Sequence, residues 1–294
     1  MPSADRRGLH RSVAWLGLLV LTALAAPWLS PHAPTAQLDL LTLNSRAPSW
    51  AHPFGTDAYS RDVFSRVLHG ARISLFVGLA AAALNVVLAG VYGAGAALAG
   101  GGVERAMRRL LEVGLSVPRV LVLLAVTAFW DQLSVPSLVF LLGATGWFPV
   151  ARIVADATAA LVRQDFVVAA RATGVPALRL LRVHLIPHLV PLLSVSATFE
   201  VANAIALETG LSYLGLGLQP PTASWGTILH DGASTLGTSW WLTVFPGLAT
   251  VLTVLACHAM GDALRDLFAA DHVATGSTST LLSPVVPVPP ASRP

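Results

Sequence analysis

Apolar residues gather in long runs along this chain, and those runs set the first expectation. A helix crossing a hydrocarbon core of about 30 Å needs about 20 mostly apolar residues. Six stretches are candidates. They are Val13 to Leu29, closed by prolines at 27, 31 and 34, then Ile73 to Val103, which carries no charge, and Leu115 to Trp130. The others are Gln132 to Ala155, interrupted by Arg152, then Leu189 to Glu208, and a sixth within Ser239 to Met260. Only a few residues around Asp131 separate the third from the fourth. The pattern predicts an all-α polytopic membrane protein with six transmembrane helices.

The segments between the runs have their own patterns. After the turn Gly55-Thr56-Asp57, the residues Val63, Phe64, Val67, Leu68 and Ala71 recur at helical spacing, with Arg61, Asp62, Ser65 and Arg66 on the other face. This predicts an amphipathic helix at the interface, leading into the second span. From Gln164 to His188 the chain is too polar to span and reads as two short helices. Gly174 suits the end of the first and Pro176 the first turn of the second. Leu178, Leu181 and Leu185 align on one side, with Arg179 and Arg182 elsewhere on the surface. Ala169, Ala170 and Gly174 are small enough for another protein surface to approach closely. Two readings fit this knuckle: a rigid docking element, or an amphipathic element held by anionic lipid headgroups.

Thr209 to Gly226 is apolar but broken by Gly210, Gly215, Gly217, Pro220 and Pro221, so continuous helix is not expected there. It reads as a pathway-lining element, or as an ordinary external loop with an interfacial Trp225. In the fifth span Ser196, Glu200 and Asn203 follow an i, i+4, i+7 stripe. An acidic group at mid-bilayer costs about 2.5–3.5 kcal/mol on the insertion scale and is by default functional. The plainer reading of Glu200 is an interhelical hydrogen bond, and Glu208, near the outer end, is expected near the pathway or as a helix cap. The small-residue run Ala89 to Gly100 fits close helix packing.

Composition narrows the class. Of 294 residues, 54% are hydrophobic and 11% charged, under half of the roughly 25% usual in soluble domains. A soluble globular enzyme is thereby excluded. All 18 basic residues are arginine, which excludes a Walker A loop with its phosphate-binding lysine and Schiff-base chemistry. The single Cys257 makes neither an internal disulfide nor a cysteine zinc cluster. His184 and His188 stand at i, i+4, but Pro187 lies between them and no carboxylate supports them, so no metal is expected. No Ser/His/Asp or paired-carboxylate arrangement stands out, so the chain is not read as an enzyme, and no nucleic-acid partner is expected.

Charge placement orients the chain. Arg6, Arg7 and Arg11 precede the first span, Arg105, Arg108 and Arg109 follow the second, and Arg163, Arg171, Arg179 and Arg182 lie between the fourth and fifth. The positive-inside bias places both termini in the cytoplasm. The stretch around Ala23-Leu24-Ala25 also resembles a signal-peptide cleavage site; its apolar core is long for that, and an uncleaved anchor is expected. The division expected is a cytoplasmic 1–12, an anchor 13–30, an extracytoplasmic segment with interfacial helix 31–70, a core 71–268 with a coupling loop at 163–188, and a disordered cytoplasmic tail 269–294.

At these residues the chain resembles the inner-membrane permease subunits of dipeptide/oligopeptide/nickel-type ABC importers, on the branch of the second permease of the pair. The resemblance runs from about His52 to Asp266. It is carried by His52-Pro-Phe-Gly-Thr-Asp with Arg61-Asp-Val and Ser65-Arg, and by Ala169-Ala170 through Gly174 to Arg182-Val-His-Leu-Ile-Pro187, which is similar to the cytoplasmic EAA loop. Glu208-Thr-Gly-Leu-Ser-Tyr-Leu-Gly-Leu-Gly with Pro220-Pro and Ser224-Trp-Gly, and Gly261-Asp-Ala-Leu-Arg-Asp266, complete it. The sequence departs at Val168, where that loop has its leading Glu, at Ser60, Tyr213, Ala223 and His258, and in lacking a closing Asp-Pro-Arg. Val168 takes a charge off the presumed ATPase contact; the Ala-Ala, Gly and Pro framework remains, and docking is still expected.

The resemblance implies a type I permease fold and a clear division of labour. Ala169, Ala170, Gly174, Arg179 and Arg182 would form the docking surface for a cytoplasmic ABC ATPase, and Glu200, Asn203, Glu208 and Ser212 would lie on or near the pathway. The partners implied are a homologous permease, two ATPase subunits and an extracytoplasmic solute-binding protein, in a lipid bilayer. The chain itself would bind no cofactor, ATP being used by the ATPases. Peptide, nickel chelate and glutathione-like solutes all fit. The rival is a secondary transporter driven by an ion gradient, with Glu200 or Asp156 as proton carrier. The sequence pattern supplies no further intramembrane charge as a partner, which counts against it.

Overall fold

In a computed structural model, which describes residues 3–130 and 132–280, the chain is helical throughout its ordered elements. The helices are α1 (Ser3–Leu24), α2 (Ala26–Leu29), α3 (Val63–Ala99), α4 (Gly101–Ser116), α5 (Arg119–Ala128), α6 (Val135–Gly146), α7 (Phe148–Val162), α8 (Asp165–Ala172), α9 (Ala177–Leu180), α10 (Ile186–Tyr213), α11 (Trp225–Ala233) and α12 (Trp241–Thr280). A π-helical turn, Leu181–Leu185, joins α9 to α10.

Val63–Ala99, Ala177–Tyr213 and Trp241–Ala269 are each long and apolar enough to cross a bilayer. Two more candidates are bent pairs, α4 with α5 at 72° and α6 with α7 at 44°. Prolines mark both bends: Pro118 caps α5, and Pro149 sits in the first turn of α7, where a missing N–H does no harm. Each bent pair has the composition of a broken span or a re-entrant loop, where straight third and fourth spans are expected from the sequence. Asp131, expected to separate them, lies outside the described residues. The apolar part of the first helix is shorter, Ser12–Leu24, because the chain breaks at Ala25 before α2.

Helix α3 is the centre of the bundle, with α6, α7 and α10 packed along it, while α10 lies between α3 and α12, and α1 rests on α12 and α3. The small-residue run does bring helices close. A Cβ on Gly93 would stand 2.5 Å from the Ala151 carbonyl of α7, so only glycine allows that crossing. Val63, Val67, Ala71 and Leu75 form one buried row with Ala23, Ile205, Trp225 and Trp241. Ala89 and Ala94 pack with Leu111, Val154 and Leu189 farther down.

Three expectations change. First, no separate interfacial helix precedes the second span; its residues are the opening turns of α3, with Asp62 as N-cap accepting from Ser65 N at 2.8 Å. The polar face, which the pattern turns away from the apolar one, is buried as well. Arg66 is 2% exposed and reaches Asp57 Oδ2 at 2.6 Å and Asp231 Oδ2 at 2.8 Å, both shared with Arg61. Asp62 also holds the buried His52 Nδ1 at 2.9 Å. Trp241 Nε1 donates to Thr56 O at 3.0 Å, closing the 52–62 loop over the bundle end. Second, α12 continues to Thr280, into the 269–294 stretch expected to be disordered; no proline interrupts the chain between Pro246 and Pro284, and extending a formed helix is cheap. Residues 281–294 lie outside the described residues. Third, helix persists through Thr209 and Gly210 to Tyr213, and a further helix, α11, follows with a Ser224 capping box.

Asp57→Ala strands Arg66 and Arg61 beside a single remaining carboxylate. Unfolding of the detergent-solubilised protein is expected to show a loss of about 3–5 kcal/mol, the cost of breaking a buried pair. Arg108→Ala, which removes half-exposed pairs to Glu104 and Asp156, should cost under about 1 kcal/mol.

Candidate functional site

Two places gather the residues singled out in the sequence. The first is the knuckle between α7 and α10. Helix α8 ends in a Schellman motif, with Gly174 N bonding Arg171 O at 3.0 Å and Val175 N bonding Ala170 O at 3.2 Å. Gly174 has φ +78°, a conformation that glycine adopts without strain. Pro176 is the N-cap of α9, one position before the expected first turn. Val167, Leu180 and Leu185 bury themselves together under the knuckle, with Leu161 and Leu98 packed against them.

The opposite side is open. Ala169, Gly174, Arg179 and Arg182 are exposed and Ala170 is half-buried. Val168, Leu178 and Val183 are also exposed, so the outer surface is largely apolar with arginines set in it. The expected alignment of Leu178 with Leu181 and Leu185 does not hold. The π-helical turn inserts an extra residue into the register, and Leu180 rather than Leu178 faces inward. His188 Nδ1 donates to the His184 carbonyl at 2.7 Å, so this pair is spent on the helix.

The second place lies halfway along α10. Glu200 accepts from Asn85 Nδ2 of α3 at 2.8 Å, and Arg119 Nη1 of α5 stands 4.0 Å from the same oxygen, Oε2. Arg119 is held in place by Leu142 O of α6 at 2.7 Å. A Cβ on Gly146 would meet Arg119 Nη2 at 2.5 Å and Asn85 Nδ2 at 2.6 Å, so this glycine makes room for the cluster. Asn85 Oδ1 is buried, with no hydrogen-bond partner among the described residues. Glu200 and Ser196 also line a cleft of about 390 Å³ between α7, α10 and α12, with Arg265 across it. Asn203, one turn on, is exposed.

Arg119 and Asn85 went unnoticed in the sequence, and Arg119 is the intramembrane charge that the argument against an ion-gradient carrier took to be missing. The available signal was weak: a lone Asn in a charge-free run, and a lone Arg after Pro118. Asp156, the other proton-carrier candidate, is exposed and bonded to Arg108 Nη1 at 2.6 Å.

Glu208 and Ser212 are placed differently. Glu208 is 0% exposed and accepts from Ser74 Oγ of α3 at 2.9 Å and from Ser212 Oγ at 3.0 Å. Ser74 Oγ in turn takes Trp225 N at 3.3 Å, and Ser212 Oγ takes Leu218 N at 3.1 Å. These two residues are sealed inside a knot that ties the end of α10 to α3, the 214–224 loop and α11. They face no open space in this structure, and Glu208 caps no helix end. Trp225 is likewise buried, its Nε1 donating to Val67 O at 3.2 Å, not an interfacial side chain.

Comparison with known proteins gives a consistent picture. Residues 74–271 match the family described as binding-protein-dependent transport system inner membrane component. A putative peptide permease protein of Brucella suis is 38% identical over 275 residues, covering 91% of this chain and 90% of that protein. The dipeptide transport system permease protein DppC of Bacillus subtilis is 37% identical, over 90% of this chain and 83% of its own length. The oligopeptide transport system permease protein OppC of Haemophilus influenzae is 39% identical, over 90% and 86%. A chain of the MetNI methionine ABC transporter, solved in inward-facing conformations, superimposes with a TM-score of 0.55 at 18% identity, over 69% of this chain and 97% of that one; it shares the fold, that of a type I ABC importer permease.

The Arg119–Glu200 contact is testable by a double-mutant cycle. Arg119→Met and Glu200→Met should each destabilise the solubilised protein, and the pair together should cost less than their sum by about 1 kcal/mol. Strictly additive losses in thermal unfolding would mean that the two side chains do not interact.

Proposed function

The chain belongs to the family of binding-protein-dependent transport system inner membrane components, and from that premise we propose that it is one half of the membrane pathway of an ATP-driven importer for peptides or a similar small solute. It is a multi-pass inner-membrane transport component, not an enzyme. The proposal counts Ser12–Leu24 as a sixth span, shorter than the other five, and follows the arginine bias in putting both termini and the knuckle in the cytoplasm. Ala23 packs in the core with Val67 and Trp225, which supports a retained anchor rather than a cleaved leader.

The observation that carries the proposal is the continuity of the knuckle with α10. From Ala177 to Tyr213 the helix is unbroken for 37 residues, and its first turns hold the exposed Arg179 and Arg182. A force on the knuckle is thus delivered to the helix that bears Glu200. Two cytoplasmic ATPases, closing on ATP, would push on α8 through Ala169, Ala170 and Gly174, and α8 packs on the start of that helix through Val167, Leu180 and Leu185; a second, homologous permease would complete the pathway, and an extracytoplasmic binding protein would deliver the solute. The face of α10 that borders the cleft, with Ser196 and Glu200 and the exposed Asn203 one turn on, is the side offered to that pathway. Peptide as the solute is carried over from the relatives' names.

A gradient-driven carrier has less support. Asp156 is exposed and paired, and the family is one of binding-protein-dependent systems. Uptake by this chain alone under a proton gradient, without ATP, would reverse that preference.

Docking is best tested at Ala169, since at Gly174 any side chain strains the backbone and blurs the readout. Ala169→Trp should leave the membrane level of the protein unchanged. It should cut ATP-driven peptide uptake by roughly tenfold or more, the effect of losing about 1.4 kcal/mol of contact free energy. Normal uptake by that variant would remove the docking assignment.

A further inference from the structure

Beside α1, on the side away from the α7–α10–α12 cleft, runs a groove that the transport reading does not use. Its upper part, about 670 Å³, lies between Val20, Ala23 and Leu24 of α1 and Ile73, Phe76 and Leu79 of α3. Its lower part, about 620 Å³, continues past Leu16 and Gly17 to Val201 and Met260. The two parts share Val20, Leu75 and Leu79 and form one channel. Polar groups cluster at a single end, where Arg72 and His69 face the Pro221–Ala223 loop. His69 Nε2 lies 3.1 Å from Ser30 Oγ, which ties that end to the residue after α2. Arg72 is exposed and forms no ion pair among the described residues.

Length and charge identify the occupant. At 1.5 Å per residue, Val13 to Leu24 on α1 spans about 16 Å, and His69 to Leu79 on α3 about 15 Å. That is half of the roughly 30 Å hydrocarbon core, the depth of one leaflet. One molecule found in every bilayer combines an anion at one end with an apolar chain of one-leaflet reach. We propose that this groove holds a phospholipid, its phosphodiester on the Arg72 guanidinium and one acyl chain between α1 and α3, in the leaflet on the side of residues 30–62. Arginine suits that role because its fork donates two parallel hydrogen bonds to phosphate oxygens. The lipid would act as the mortar between α1 and the bundle.

The test uses the intact protein extracted in mild detergent from phosphatidylglycerol-containing vesicles, with native mass spectrometry counting retained lipid. Arg72→Gln should reduce retained phosphatidylglycerol roughly fivefold, the effect of one cation near a headgroup. Diacylglycerol, which lacks the phosphate, should bind the original protein no better than the variant. Gly17→Phe should reduce retention as well, because a Cβ at Gly17 meets nothing within 4 Å and the ring projects into the groove. Arg105→Gln, on the exposed surface of α4, should change nothing. A photocrosslinker at Leu79 should capture lipid. Equal retention by the original protein, Arg72→Gln and Gly17→Phe would overturn the proposal, and so would a crosslink from Leu79 to polypeptide with none to lipid.

Discussion

A polar group taken out of water must find its partner inside the protein, and in a bilayer no solvent stands by to repair a failure. Helix α3 is where this chain makes most of those matches. Asp62 holds His52 and Ser65, Arg66 holds Asp57 and Asp231, Ser74 holds Glu208, and Asn85 holds Glu200. Each match joins α3 to a different part of the chain: the 52–62 loop, α11, the end of α10 and the middle of α10. The apolar packing between them is non-directional, so these bonds supply the register at which the helices stand.

The same matches divide α10 into regions of unequal freedom. Its far end is knotted by Glu208 to α3, the 214–224 loop and α11. Its middle is tied by a hydrogen bond from the Asn85 amide and a longer contact to Arg119. Its near end merges through a π-helical turn into a knuckle that is open to solvent on one side. A lever fixed at one end, loosely held in the middle and exposed at the other suits the proposed coupling, in which a push on the knuckle must reach the pathway without unseating the outer loops.

What the sequence made legible was local. Glycine and proline punctuate the backbone wherever they stand, so the break at Gly174 and Pro176 was readable, as were the apolar runs and the close packing near Gly93. What it hid was distant. The polar face of Asp62, Ser65 and Arg66 reads as solvent-facing by periodicity; it is buried because Asp231 arrives from 165 residues away. Arg119 meets Glu200 only because the chain turns at Pro118 and Gly146 leaves room. The leucine alignment at 178, 181 and 185 failed for a third reason: it assumed an α-helical register, and a π-helical turn broke it.

The two carboxylates of α10 show how much partner count decides. Glu200 and Glu208 stand two turns apart on one helix, both buried in an apolar surround, and composition treats them alike. Glu208 is bonded by serines on either side, and bulk is excluded around it: a Cβ on Gly217 or Gly226 would strike Ser212 at 2.4 Å and 2.6 Å. Every donor in that knot is committed, and moving the carboxylate breaks several bonds at once. Glu200 has the amides of Asn85 and Asn203 beside it, a cation at 4.0 Å and, among the described residues, a neighbouring Asn85 oxygen left without a donor, next to an open cleft. The Glu208 knot thus has its donors committed, whereas the Glu200 cluster keeps an acceptor open to a new partner beside the cleft. A group arranged in that way gains from a new donor entering the cleft, whereas a saturated one only loses. In the proposed transport cycle Glu200 is therefore the carboxylate free to take part, and Glu208 the one that holds the frame in which the cycle runs.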